Sequence, residues 1–227
     1  MLRHIYRPAL AITAILALPQ LAAAQDTDRT IAGGGIMVQG WMGTAHGQNV
    51  NDAKLAKDGD ALHVVTGPAV TYWNSANRAT GDYTVKATFT EPEYMNLNNH
   101  PHPYGIVIAG NDMGTDQQSY LYCAAYGNGN FIVRGFGPGP FQVNGRRGES
   151  HDAVNKAAGK GEPVTQEIAV SVRENTVECA INGTVVGSYD KSAVVGEGKL
   201  KSTDGVYGIR FAHNTEATVS GLTLTRH

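Results

Sequence analysis

The sequence contains little that would direct the protein into a membrane or onto nucleic acid. Its longest apolar run, residues 9–18, spans about ten residues, whereas a helix needs about twenty to cross a bilayer. Only 17% of the residues are charged, with a net charge of −2 and no block of one sign. Because binding to a phosphate backbone needs concentrated positive charge, we expect no nucleic acid partner, and we expect no membrane span in the mature chain.

The early apolar run instead has the features of a secretory signal peptide. Arg3 and Arg7 precede it, and the small residues Ala22 and Ala24 suit signal peptidase. We therefore predict a cleaved signal peptide at residues 1–24. No cysteine follows the cleavage site, so a bacterial lipoprotein anchor is not expected. Loss of the two arginines leaves 16 basic against 20 acidic residues. We expect a soluble exported protein, periplasmic or secreted.

Cysteine is scarce, with only Cys123 and Cys179 in the chain. Export raises the question of a disulfide. In a strand interpretation Cys123 shares a face with Leu121, and Cys179 shares one with Val177, so both face the core. We predict a disulfide between them; the alternative is two buried thiols that act as small apolar side chains.

Helical periodicity is also scarce, whereas glycine is abundant at 28 of 227 residues. From Ile36 onward apolar residues recur at every second position, which is typical of half-buried strands. In residues 82–89, Tyr83, Val85 and Phe89 share one face. Asn182-Gly183 favours a type I′ turn, and only residues 150–159 favour a short helix. The pattern predicts an all-β antiparallel β-sandwich, with a flexible leader at 25–35 and a single domain at 36–227.

Several of these runs, together covering about residues 70–225, carry a family resemblance. They are residues 81–89, 104–110, 120–122 with 131–134, 170–173 with 177–185, and 205–211. Their order resembles the concanavalin A-like lectin/glucanase jelly roll, particularly exported bacterial laminin-G-like and 3-keto-disaccharide-hydrolase-like domains. The resemblance implies a jelly-roll fold and one of three roles: binding sugars, hydrolysing glycans or adhesion. Fold alone does not choose among them.

A recognisable catalytic motif is missing. The glucanases of this fold carry Glu-x-Asp-x-x-Glu on one strand, and the sequence does not contain it. The nearest pair is Glu91 and Glu93, but Pro92 interrupts the strand ladder and favours a solvated strand end. At the place where the keto-disaccharide hydrolases would have Asn-Ser-Gly, the chain reads His-Pro-Tyr-Gly at 102–105. The remaining candidates for an acid and a base are Glu93, His102, Asp112 and His151.

Metal ligands are limited to short groups on loops. His100 and His102 can chelate zinc or copper when a third ligand folds against them; the alternative is a proline-stiffened loop with both rings in solvent. Asp112 and Asp116 offer oxygen ligands for calcium, without the regular Asp-x-Asp spacing. We expect no cofactor, with calcium as the alternative.

Aromatic residues make up only 7% of the chain, yet several fall on one predicted sheet face. The pleat that points Leu121 and Cys123 into the core turns the neighbouring tyrosines outward, and sugar rings stack on such a face. The alternative is half-buried tyrosines covered by the loop at 136–161, with Arg134 in a salt bridge there. The predicted ligand-binding residues are Tyr120, Tyr122, Tyr126, Arg134 and Arg210, with Trp73 and Arg146 at the rim.

These observations together favour a non-enzymatic exported module that recognises a glycan or a cell-envelope surface through one sheet face. The first alternative is a glycoside-processing enzyme related to the 3-keto-disaccharide hydrolases. The second is a structural or envelope domain whose exposed tyrosines contact a protein partner.

Overall fold

The computed structural model describes residues 26–227, so the predicted signal peptide lies outside the described part of the chain. These residues form sixteen β-strands, one 3₁₀ turn at Val50–Asp52 and one short helix, α1, at Lys191–Val194. The strands are β1 (Gly35–Ile36), β2 (Trp41–Thr44), β3 (Lys54–Asp58), β4 (Ala61–Val65), β5 (Val70–Ala79), β6 (Tyr83–Glu91), β7 (Tyr104–Asn111), β8 (Ser119–Ala125), β9 (Asn130–Phe136), β10 (Pro140–Gln142), β11 (Glu149–Ser150), β12 (Val164–Val172), β13 (Thr176–Ile181), β14 (Thr184–Asp190), β15 (Gly205–Phe211) and β16 (Glu216–Arg226).

The strands form two sheets that pack face to face. Sheet A has the order β1-β3-β4-β16-β6-β12-β13-β14. Sheet B has the order β10-β9-β8-β7-β15-β5-β2, with β11 paired to β9. All pairs of named strands are antiparallel except β1 with β3. The prediction of an all-β antiparallel sandwich is therefore confirmed.

Period-two patterning builds the core between the sheets. In β6 the side chains of Tyr83, Val85 and Phe89 are fully buried, while Thr84, Lys86 and Thr88 face outward. Phe89 of sheet A packs on Tyr104 and Phe211 of sheet B, with ring centroids 5.6 and 6.0 Å apart. Burial of each such side chain stabilises the fold by about 1.5–3 kcal/mol, which is why the alternation fixes the register.

A disulfide joins the two layers. Cys123 of β8 in sheet B and Cys179 of β13 in sheet A are bonded, with their Cα atoms 5.9 Å apart. Both lie in the core, as the pleat predicts. The predicted disulfide is therefore present.

The predicted turn at Asn182-Gly183 is present, but the predicted helix at residues 150–159 is not. Asn182 and Gly183 have φ of 51° and 80°, as a type I′ turn between β13 and β14 requires. Residues 150–159 contain no helix, because their backbone groups find tertiary partners instead. The amide of Asn155 donates to the Gln166 side chain, and that of Ala157 donates to the Gly127 carbonyl. The one α-helix within residues 26–227 is α1.

The segment that precedes β1 contacts the loops at one end of the sandwich. Arg29 N donates to Asn214 Oδ1, and Asn214 Nδ2 donates to the carbonyl of Thr27, both at 3.0 Å. Asp26 accepts hydrogen bonds from the backbone and side chain of Asn99. These contacts involve residues that the sequence analysis predicts as a flexible leader. No helix within 26–227 has the length and hydropathy needed to cross a bilayer.

Candidate functional site

The face of sheet B that points away from the core carries the predicted tyrosines. Tyr122 of β8 lies opposite Arg134 of β9 and Val107 of β7. Along the neighbouring row, Ala124 lies opposite Gly105, which in turn lies opposite Arg210. Long side chains in one row thus stand beside small ones in the next.

That difference in side-chain length creates a groove. The groove has a volume of about 180 Å³, and Ala124 and Ile132 lie on its floor, next to Gly105. An added Cβ at Gly105 would lie 2.0 Å from the Cys123 carbonyl oxygen, so the strands permit no side chain there. The residues that line the groove are Ala69, Pro103, Tyr122, Ala124, Tyr126, Ile132, Arg134, Arg210, Ala212 and His213.

Arg210 is held within an aromatic cluster. Its guanidinium carbon lies 5.2 Å from the Tyr122 ring centroid and 5.1 Å from that of Phe136. Its Nη1 donates to Thr71 Oγ1 at 2.7 Å and to the Tyr120 hydroxyl at 3.1 Å. Cation–π contacts of this kind are each worth about 0.5–2 kcal/mol. The guanidinium is thereby fixed in position beside the groove.

Arg134 is oriented by the loop that follows β9. Its Nε donates to Gln142 Oε1 at 3.1 Å, and its Nη2 donates to the Arg146 carbonyl at 2.9 Å. Both acceptors are uncharged. Among residues 26–227 neither Arg134 nor Arg210 has a carboxylate within salt-bridge distance. The alternative prediction of a salt bridge for Arg134 is therefore wrong, although the predicted loop does contact it.

The seven predicted binding residues divide into three groups. Tyr122, Tyr126, Arg134 and Arg210 line the groove. Tyr120 is fully buried behind it, and its hydroxyl contacts Thr71, Arg210 and His46.

The remaining two lie apart from the groove. Trp73 is 4% exposed and lines a separate cavity with Met42 and Met113. The side chain of Arg146 is exposed, and only its carbonyl reaches Arg134.

Three histidines meet at one end of the groove. His102 Nε2 lies 2.8 Å from His100 Nε2, and the ring of His213 lies against that of His102 at a centroid distance of 4.1 Å. One ring nitrogen from each histidine falls within 4.8 Å of the others. His213 also lines the groove. The predicted pair His100 and His102 thus gains a third imidazole.

Sequence reasoning missed His213 as a member of this group. It lies more than a hundred residues beyond His102, just after the run at residues 205–211. In the structure β15 ends at Phe211, so His213 lies in the following turn. Its histidine identity is the only signal that the sequence offers.

Each histidine of the cluster has an oxygen beside its Nδ1 atom. His102 Nδ1 donates to the carbonyl of His213, and His213 Nδ1 lies 2.8 Å from Asp28 Oδ1. His100 Nδ1 lies 3.4 Å from Asp26 Oδ2. A carbonyl oxygen accepts only, so Nδ1 of His102 carries the proton and Nε2 carries the lone pair. Burial, followed by the neighbouring His213, lowers the pKa of His102 to about 4, so its ring is neutral at pH 7.

The candidate acids and bases do not converge. Glu93 is exposed in the turn after β6, and Asp112 pairs with Lys201. His151 Nδ1 accepts from the backbone amide of Ala153, while His102 belongs to the cluster just described. Among the described residues that line the groove, none is an aspartate or a glutamate.

Glu91 differs from the solvated strand end that the sequence analysis favours. It is 4% exposed and continues the inward-facing series Tyr83, Val85 and Phe89 of β6. Burial raises its pKa to about 7, opposed in part by the hydrogen bond from the Met95 amide. Because every odd residue of this strand faces inward, the alternation itself was the signal for its burial.

The two acidic residues proposed for calcium line different cavities. Asp112 contacts Lys201, whereas Asp116 lines a cavity of about 540 Å³ with His46 and Phe136. Within residues 26–227, His100, His102 and His213 form the one group of three potential metal ligands from histidine, cysteine or carboxylate side chains.

Comparison with known proteins identifies the fold. No protein-family model matches the sequence, and no curated protein matches it either. The structure is similar to a carbohydrate-binding module, CBM66, from Bacillus subtilis, with a TM-score of 0.54 and 10% identity over 84% of this chain and 98% of that one.

Two further structures are similar. A Bacillus subtilis protein of unknown function with a galectin-like fold gives a TM-score of 0.55 and 13% identity over 82% and 89%. A glycoside hydrolase family 16 endo-glucanase from Bacteroides ovatus gives a TM-score of 0.50 and 12% identity, over 82% of this chain and 94% of that one. The chain therefore has the concanavalin A-like jelly-roll fold that its strand order resembles.

Proposed function

We propose that the protein is a carbohydrate-binding module that holds a glycan in the groove on the outer face of sheet B. One observation carries the proposal: the groove is lined by two tyrosines and two arginines and, within the described chain, by no carboxylate. Tyrosine rings stack on the apolar faces of sugars, and guanidinium groups donate to their oxygens. Two-carboxylate hydrolysis would require an acid and a base that this groove does not supply.

The charges of the groove favour an acidic sugar. Arg134 and Arg210 have only neutral hydrogen-bond acceptors among the described residues. A uronate carboxylate or a sulfate group pairs well with a guanidinium and forms stronger hydrogen bonds than a neutral hydroxyl. The ligand class is therefore a glycan that carries negative charge.

Export is part of the same proposal. A disulfide forms and persists in an oxidising compartment, and the Cys123–Cys179 bond is consistent with that location. The signal peptide predicted at residues 1–24 would bring the chain to the periplasm or outside the cell, where glycans of an envelope or of a nutrient polymer are found.

The test is a binding measurement with neutral and acidic glycans. We expect the wild-type protein to bind uronate-containing or sulfated oligosaccharides on an array, and Arg134→Ala and Tyr126→Ala each to weaken binding at least about tenfold, which corresponds to about 1.4 kcal/mol. Raising the salt concentration should weaken binding further, because part of the attraction is ionic.

Matched controls lie on sheet A. Arg226 of β16 is exposed and Tyr189 of β14 is half-buried, so Arg226→Ala and Tyr189→Ala should leave binding unchanged. If Arg134→Ala and Tyr126→Ala fold normally and bind as tightly as the wild type, the groove is not the glycan site. Equal binding of neutral and acidic glycans would reject the preference for charge.

A further inference from the structure

The three-histidine cluster has the features of a metal site, and it does not depend on the glycan proposal. We propose that His100, His102 and His213 bind one divalent transition-metal ion, zinc by preference, through their Nε2 atoms. Imidazole nitrogens suit zinc, copper and nickel, whereas calcium and magnesium take oxygen ligands. The three imidazole nitrogens therefore favour a transition-metal ion over calcium or magnesium.

The first argument is the position of the donor atoms. One nitrogen from each ring lies within 4.8 Å of the others. Two ligands of a tetrahedral zinc ion, each about 2.0–2.1 Å from the metal, lie roughly 3.3 Å apart. His100 Nε2 and His102 Nε2 are 2.8 Å apart, so they need to separate by about half an ångström. His100 is exposed and can make that movement.

The second argument is the set of partners on the opposite side of each ring. Histidines that bind metals donate their other N–H to a carboxylate or a backbone carbonyl, which fixes the tautomer and orients the ring. Here Asp26, the His213 carbonyl and Asp28 face the Nδ1 atoms of His100, His102 and His213 respectively. The Nε2 atoms of His102 and His213 are thereby left as potential ligands, and His100 Nε2 joins them once it releases the proton that it shares with His102 Nε2 at 2.8 Å, as metal binding requires.

The third argument is that the chain assembles this cluster from three separate regions. His100 and His102 come from the loop between β6 and β7, and His213 comes from the turn between β15 and β16. Asp26 and Asp28 come from the segment that precedes β1. Three protein ligands leave a fourth coordination position for water or for an oxygen of a bound molecule. His213 places this ion beside the groove.

The test uses the metal alone as the probe and a protein without a polyhistidine tag, because such a tag binds zinc itself. The protein is stripped with a chelator, titrated with ZnCl₂ by calorimetry, and assayed for metal after desalting. We expect one zinc per chain. His100→Ala and His213→Ala should each lower affinity at least tenfold, and cobalt should give the visible bands of a tetrahedral site in the wild type but not in these two variants.

Controls separate this site from adventitious binding and from misfolding. His63→Ala and His151→Ala remove histidines that lie outside the cluster and should keep one zinc per chain. Asp28→Asn removes no proposed ligand, yet should weaken zinc 10- to 100-fold if Asp28 orients His213. Circular dichroism checks that each variant is folded. The proposal is overturned if zinc is not bound stoichiometrically, if His100→Ala and His213→Ala bind it as the wild type does, or if copper or nickel binds and zinc does not.

Discussion

At the scale of single residues, the buried carboxyl of Glu91 makes stability depend on pH. Its pKa is about 7 in the folded protein, against an ordinary value of 4.5. The neutral form is therefore the one that the fold favours. The neutral carboxyl contributes fully to stability below pH 4.5. As the pH rises from 4.5 through 7, the free energy of unfolding falls by about 3 kcal/mol in total.

Glu91→Gln should abolish that decline, because the amide stays neutral at every pH. We expect urea unfolding to show that the variant gains stability relative to the wild type between pH 5 and pH 8, with the two curves closest at the acidic end. Titrating histidines affect both proteins equally and cancel in the difference. A difference that does not change with pH would contradict the assignment of a raised pKa to Glu91.

At the scale of elements, the turn between β13 and β14 requires left-handed backbone conformation at both of its central residues. Gly183 has a φ of 80°, and a Cβ at this position would meet no atom within 4 Å. Gly183→Ala should therefore lower the free energy of unfolding by about 1 kcal/mol purely through the left-handed conformation.

Gly139 supplies the matched control for this substitution. It too has open space around an added Cβ, but its φ lies outside the left-handed region. Gly139→Ala should leave the denaturation midpoint unchanged or raise it slightly, because alanine lowers the conformational entropy of the unfolded chain. Equal effects of the two substitutions would show that the conformational argument is wrong.

Regular strands were predictable from sequence because each buries one face. Period two in residues 82–89 matches β6, and Asn182-Gly183 matches the turn. The short strands β1, β10 and β11 were not predictable, since two or three residues carry no period. The sequence likewise did not predict the bulge between Val206 and Gly208, because only the pairing with neighbouring strands reveals it.

The candidate site was predictable in part for the same reason. Alternation along one strand places Tyr122 and Tyr126 on the face of Arg134, and the structure brings them to one groove. Alternation does not say how strands pair across a sheet. It therefore could not show that Trp73 and Arg146 lie away from the groove, as they do in the structure. It also says nothing about loops, and the meeting of His213 with His100 follows only from tertiary structure.

At the scale of the whole molecule, the disulfide is a covalent cross-link between the two sheets, in addition to the loops of the chain. The bridge spans 56 residues of sequence, and removal of a native disulfide typically lowers stability by about 2–5 kcal/mol. The double variant Cys123→Ala, Cys179→Ala should show this loss in urea unfolding, and the wild type should show a similar loss in reductant. An effect below about 1 kcal/mol, or one that reductant does not reproduce, would contradict a stabilising role for the bond.

The closed disulfide loop has a consequence for the integrity of the chain. Arg146 and Arg147 are exposed between β10 and β11 and lie inside it. A trypsin-like protease that cuts after either residue would sever the backbone and still leave the two fragments covalently joined. The nicked protein would run as one species on a non-reducing gel and as two after reduction. A chain exported as we propose would, on meeting such a protease, lose a peptide bond beside its groove without losing either fragment.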